Sequence, residues 1–390
     1  VQESNPNPLP NWTPELRDWL TAAASAAGFD AAGVAAVPEP HDPAATQEAK
    51  RFAAWIDAGR AGEMDYLKRQ DAHGTFLRSG VQSAMPWARS VIVCALNYNA
   101  DAPRSIDPAP PGAAWIGRYA WSGRTGADGN AVPTDYHNEL LTRLCTIESA
   151  LQQRAACTTR CYVDTGPILE RNIAAQAGVG WIGRNTCVIN QQLGSWLLLG
   201  VIVTSLPVEA ASATLLAPDR CGSCTRCIDA CPTGALLDSS APGAPREMDA
   251  SLCIAYLTIE KKGSIDEALR SQIGRQVFGC DICQEVCPWN RRAPIAAHEG
   301  MTPRPELINP ALEWLAVMDS AEFKRRFKGS PLQRTGRKRL LRNVAIAMGN
   351  SGDAQFLPQL EAWAAQTADP LLSETAEWAK SQISLQRTDL

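Results

Sequence analysis

Eight of the thirteen cysteines fall within 67 residues, at spacings that hold iron-sulfur clusters. Cys221, Cys224, Cys227 and Cys231 form a C-x2-C-x2-C-x3-C run closed by Pro232. In such a run three thiolates hold one cluster and the fourth reaches a second. Cys280, Cys283 and Cys287 form a second run, closed by Pro288, that lacks a third closely spaced cysteine; Cys253 upstream restores the count to eight. The crossing rule then gives cluster one to Cys221, Cys224, Cys227 and Cys287, and cluster two to Cys231, Cys253, Cys280 and Cys283. Paired C-x2-C elements also make tetrahedral zinc sites, but the four-cysteine run, both Cys-Pro endings and the total of eight favour iron and sulfide. Cys94, Cys145, Cys157, Cys161 and Cys187 lie mostly in apolar strand or helix patterns and read as small packing residues.

Two further features carry possible chemistry. Asp164 ends a short strand, Arg160 to Val163, just before a Gly166-Pro167 turn. It could cap the helix that follows, or deliver a proton above the sheet. From Phe323 to Arg342 there are nine basic residues and no acidic one: Lys324, Arg325, Arg326, Lys328, Arg334, Arg337, Lys338, Arg339 and Arg342. A solvated helix face usually mixes signs, so this stretch is either a phosphate-contact surface or a solubilising one. His41, His73 and His298 sit in Pro-rich or polar loops and read as surface residues.

The elements around these residues divide the chain in three. Pro14 opens an amphipathic helix capped by Thr13; Ser90 to Tyr98 reads as a buried strand; a helix runs from about Tyr136 to Arg154. Arg160–Asp164, Thr186–Asn190 and Ser195–Thr204 read as strands and Ile168–Ala177 as a helix, an alternation that favours an α/β sheet. Periodicity fades between Pro207 and Arg220, and from about Pro305 the pattern is wholly helical. At 390 residues the chain can build real cores without cysteine staples, and its net charge of -4 advertises no global basic field. Absence of a long apolar run and of a basic, apolar N-terminus points to a soluble cytoplasmic protein with reduced thiols and no membrane contact. No G-x-G-x-x-G supplies a nicotinamide site. A large domain ahead of an electron wire suggests a second redox centre where substrate is reduced, rather than a simple electron carrier.

Glu63-Met-Asp-Tyr-Leu67, Val163-Asp-Thr-Gly-Pro-Ile-Leu-Glu-Arg171, Ala177-Gly-Val-Gly-Trp-Ile-Gly-Arg-Asn185, the two cysteine runs, Cys253-Ile-Ala-Tyr-Leu and Phe278-Gly-Cys-Asp-Ile-Cys283 closely resemble epoxyqueuosine reductase. The likeness runs from about residue 12 to the C-terminus and includes Arg337-Lys-Arg-Leu-Leu-Arg-Asn343. It implies an α+β protein with an N-terminal α/β cobalamin-binding catalytic domain (1–206), a ferredoxin-like domain with two 4Fe-4S clusters (207–300) and a C-terminal helical HEAT-like domain that contacts tRNA (301–390). It implies reduction of epoxyqueuosine to queuosine at the tRNA wobble position by a monomer fed by an external low-potential electron donor. Carried over by position, the proton donor is Asp164, and the corrin contacts are Arg78, Gly117, Asp164, Val188, Leu199 and Ile202. Arg334, Arg337, Lys338 and Arg339 would contact tRNA. Asp135-Tyr-His137 comes near the Asp-x-His-x-x-Gly of histidine-ligated cobalamin but lacks its Gly, so no histidine is expected on cobalt. Residues 122–134 are longer than the family's junction and put contacts at Gly117 and Arg118 in question. The competing enzyme class is another cobalamin and iron-sulfur reductase, such as a reductive dehalogenase, which has no use for the basic segment.

Overall fold

The computed structural model describes residues 11–39, 42–127, 129, 131–208, 215–237 and 246–388. His41 lies outside these residues. The chain opens with α1 (Pro14–Ala26), β1 (Ala31–Ala36), α2 (Pro43–Asp57), α3 (Val81–Ala84) and β2 (Ser90–Asn97). The Thr13 hydroxyl accepts the Leu16 N–H at 3.2 Å, and Pro14 sits in the first turn, where no N–H is needed. Next come β3 (Trp115–Ile116), β4 (Ser122–Thr125), β5 (Ala131–Pro133), α4 (Tyr136–Arg154), β6 (Thr159–Tyr162), α5 (Glu170–Gln176), β7 (Trp181–Ile182), β8 (Val188–Ile189) and β9 (Leu197–Thr204).

The main sheet has the order β1-β2-β9-β6, and helices cover both of its faces. All three ladders are antiparallel, however: Ala36, closing β1, lies opposite Ser90, opening β2, while the excursion through α4 carries the chain from the Asn97 end back to the Thr204 end, so that β6 enters antiparallel to β9. The fold is therefore mixed α+β. Strand alternation sorts the side chains. Ile92, Cys94, Leu96 and Ile202 pack toward α1 and α4, whereas Val91, Val93, Ala95, Val201 and Val203 pack toward α5. Gly33 is where α5 comes closest, since a Cβ there would lie 2.0 Å from the Ala177 carbonyl oxygen.

The cysteine region contributes α6 (Arg226–Asp229), α7 (Ile254–Ile259), α8 (Glu267–Ile273), β10 (Gln276–Phe278) and α9 (Ile282–Glu285). Beyond it lie β11 (Thr302–Pro303), α10 (Leu312–Ala316), α11 (Ser320–Phe327), α12 (Gly336–Ser351), α13 (Leu357–Ala364) and α14 (Pro370–Thr388). The cores cut across the divisions at 206 and 300. One core joins Ala114, Ile116 and Trp121 to Val277 and Phe278 and to Leu340, Val344 and Leu360. The strands agree: β3 pairs in parallel with β10, and β4 pairs antiparallel with β11. Within the long 122–134 segment, β4 pairs antiparallel with β5 and is held on its other side by β11. Among the described residues, no helix is long and apolar enough to cross a membrane.

Candidate active site

The eight motif cysteines sort by their neighbours. Burial, with Cys287 and Cys221 alongside, pushes the Cys227 thiol up to about 11, and burial does the same to Cys287 beside Cys221 and Cys224. Burial likewise raises Cys253 beside Cys231, and Cys280 beside Cys253 and Cys231. Thiols crowded and desolvated in this way resist ionisation until a cation takes the proton's place, which is the setting of a metal-sulfur site.

Cys231, Cys253, Cys280 and Cys283 line one wall of a cavity of about 430 Å³. Met64, Leu236, Ile254, Ile259 and Phe278 make much of the remaining surface apolar, and Asp164, Tyr136 and Arg334 stand on its rim. The short helices α7 and α9 each begin at a motif cysteine: Ile254 follows Cys253, and α9 contains Cys283.

Asp164 is presented by an unusual backbone. Its φ is 58°, and the Thr165 N–H closes onto the Val163 carbonyl at 2.7 Å across it, a γ-type turn. The turn follows β6 directly, so the carboxylate projects from the end of the sheet with its side chain 66% exposed. The Tyr136 hydroxyl donates to Asp164 Oδ2 at 3.0 Å, and His137 Nε2 lies 3.8 Å from the same oxygen. Behind it, the Asp164 N–H donates to Glu170 Oε1 at 2.8 Å. Burial, with Asp164 nearby, pushes the Glu170 carboxyl up to about 8. Arg334 bonds the Asp135 carboxylate and reaches His137 Nδ1 at 2.8 Å, with its guanidinium 5.6 Å from the Tyr136 ring centre. Thr186, also on the cavity wall, is the second left-handed non-glycine residue of the site (φ 60°), clamped by Arg171 through its carbonyl at 2.7 Å.

The corrin contacts expected from sequence do not all converge. Asp164 lines the cavity. Gly117 is held next to it, its N–H donating to the Phe278 carbonyl at 2.8 Å, and Arg118 is locked to Glu285 at 2.8 Å in the interior. Arg78 bonds the Ile168 carbonyl at 3.1 Å, while Val188 and Leu199 belong to the core on the α5 face. Ile202 must be corrected: strand alternation puts it on the opposite face from Leu199, fully buried against α4, where no cavity ligand reaches it. A second correction concerns Arg342, which is fully buried and donates to the Leu257, Lys261 and Gly263 carbonyls, so it offers phosphate nothing. Arg337 and Arg339 donate to the Met318 and Thr335 carbonyls, and Lys338 is largely exposed. His298 is only half-buried but tied to Asp30 at 2.8 Å, and His73 is exposed.

Several site residues went unread in the sequence. Tyr136 and His137 were visible only as part of an incomplete cobalt motif, though their place at the capped start of α4 is what aims them at Asp164. Cys187, read as packing, lies in the cavity wall against Cys283. The side-chain Nδ2 of Asn185, another wall residue, is buried without a hydrogen-bond partner among the described residues.

Comparisons with known proteins give the chain its relatives. Residues 220–290 match the family described as 4Fe-4S double cluster binding domain, and residues 78–165 match Epoxyqueuosine reductase QueG, DUF1730. Epoxyqueuosine reductase of Pseudomonas aeruginosa is 39% identical over 329 residues, covering 83% of this chain and 84% of the relative. That of Escherichia coli is 35% identical over 335 residues, covering 85% and 82%. A crystal structure of epoxyqueuosine reductase with a tRNA-Tyr epoxyqueuosine-modified stem loop superposes with a TM-score of 0.79 at 28% identity, covering 95% of this chain and 90% of that one. The Bacillus subtilis enzyme, solved with its catalytic aspartate loop swung out of the active site, gives 0.78 at 28% identity over 95% and 90%.

Proposed function

The chain belongs to the epoxyqueuosine reductase family, and from that membership we propose that its cavity is where the epoxide of epoxyqueuosine in tRNA is reduced to queuosine, with Asp164 as proton donor. The enzyme is an oxidoreductase with a double 4Fe-4S domain. One observation carries the reading: the four cysteines assigned to cluster two and Asp164 line the same cavity. Net reduction takes two electrons and two protons, and the epoxide oxygen leaves as water.

Cys221, Cys224, Cys227 and Cys287 would hold cluster one, and Cys231, Cys253, Cys280 and Cys283 cluster two; the pair would supply one-electron transfer from an external low-potential donor to the cavity that the second set lines. Cobalamin fits there: the wall is largely apolar, and the unpaired Asn185 amide is a donor for an amide or phosphate oxygen. Bound there, with Asp164 in the wall and Gly117 held beside Phe278 of that wall, it would supply a low-valent cobalt reductant for the epoxide. Asp164 gives a proton to the departing oxygen; Tyr136 orients its carboxyl group, and Glu170 holds its backbone. Arg334, Arg337, Lys338 and Arg339 form a basic edge beside the cavity for the tRNA backbone, where phosphate contacts position the anticodon and the cavity selects the base. The setting is cytoplasmic and the working unit a monomer.

The test is an anaerobic assay of protein with both clusters and cobalamin verified, epoxyqueuosine-containing tRNA and a low-potential donor. Queuosine should form; none formed sinks the reading. Asp164→Ala should keep clusters and corrin but lose about a hundred- to ten-thousandfold in rate.

A further inference from the structure

Outside the cavity, three donor side chains converge on the seam between α4 and β6. Cys145 and Glu148 stand three residues apart on α4 and so share a helical face. Cys161 faces them from β6, the edge strand of the main sheet. Both thiol sulfurs and a Glu148 carboxylate oxygen lie within 4.8 Å of one another. Cys145 is exposed; Glu148 and Cys161 are half-buried. Cys157 lies close enough to feel the Glu148 charge.

We propose that Cys145, Glu148 and Cys161 bind one zinc-class divalent cation, with water in the exposed fourth position. Two sulfurs and a carboxylate make a borderline-soft donor set, unsuited to magnesium or calcium, which take oxygen alone. Tetrahedral zinc with Zn–S bonds of about 2.3 Å sets its ligand atoms roughly 3.8 Å apart, within reach of small side-chain rotations from the observed spacing. On binding, each thiol releases its proton to solvent and no electron moves. A Cys145–Cys161 disulfide would need an oxidant and would leave the converging carboxylate idle. The site's place in the fold gives it consequence. Helix α4 begins at Tyr136 and β6 runs into Asp164, so a bound ion staples together the two elements that carry the Tyr136–Asp164 hydrogen bond.

Holoenzyme purified anaerobically is titrated with zinc chloride and read by metal content and zinc K-edge absorption, which iron does not obscure. One zinc per chain should bind with two sulfur neighbours at about 2.3 Å plus oxygen. Cys145→Ser/Cys161→Ser should weaken uptake by more than about a hundredfold and lose the sulfur shell, with the cluster EPR signals unchanged. Cys145→Ser alone, at an exposed position that spares the fold, should weaken it by about tenfold or more. No stoichiometric uptake, a sulfur shell that survives in the double variant, or a Cys145–Cys161 disulfide in the anaerobic protein overturns the proposal.

Discussion

At φ 58°, Asp164 occupies a region that non-glycine residues enter at a cost of roughly 1–3 kcal/mol, and its neighbours are arranged to hold it there. Tyr136 binds its carboxylate and Glu170 its backbone N–H. Tyr136→Phe should lower the reduction rate about tenfold while both clusters keep their EPR signals, since a hydrogen bond to a charged group contributes ~1.5–3 kcal/mol. Glu170 makes a pH prediction. Its carboxyl is raised from 4.5 to about 8, so the folded chain holds a proton there that the unfolded chain gives up. Its contribution is therefore full below 4.5 and falls as pH rises toward 8. Thermal unfolding followed across that window should show this slope, and Glu170→Gln should flatten it. The cluster cysteines were legible because ligand spacing is local in sequence. Tyr136 and Cys187 were not, because what they face depends on how a helix start and a strained turn meet across the fold.

Among the elements, α4 was readable to its ends, from Tyr136 to Arg154, because a long apolar stripe and an Asp135 cap agree. The antiparallel sense of the main sheet was not, since alternating strands and helices say nothing of the end to which each excursion returns. Close approaches were equally hidden. Gly33→Ala would drive a methyl into the Ala177 carbonyl and should cost about 1–3 kcal/mol by denaturant midpoint. Arg342 was counted with the basic surface because charge in a sequence carries no direction. It ties α12 to α7 through the Leu257 carbonyl and to the loop after α7 through those of Lys261 and Gly263, and burial pushes its guanidinium down to about 10. Because α7 starts beside Cys253, Arg342→Ala should cost roughly 3–5 kcal/mol and broaden the EPR signal of cluster two ahead of cluster one.

For the whole molecule, a net charge of -4 coexists with a basic run at Arg334, Arg337, Lys338 and Arg339, proposed above as the tRNA contact. Reversing Arg337, Lys338 and Arg339 to Glu should weaken tRNA binding and flatten its salt dependence, with log Kd against log salt losing roughly 0.7–0.9 per phosphate contact removed. Unchanged affinity would retire that interface. The parallel pairing of β3 with β10 also sets an order of events during synthesis. Trp115 meets Gln276, so about 160 residues must leave the ribosome after β3 before its partner exists, roughly ten to thirty seconds of translation. Until then Ile116 and Trp121 have neither Phe278 nor the C-terminal helices over them. A nascent chain stalled before residue 276 also lacks Cys280, Cys283 and Cys287, so it should be a chaperone client unable to retain iron.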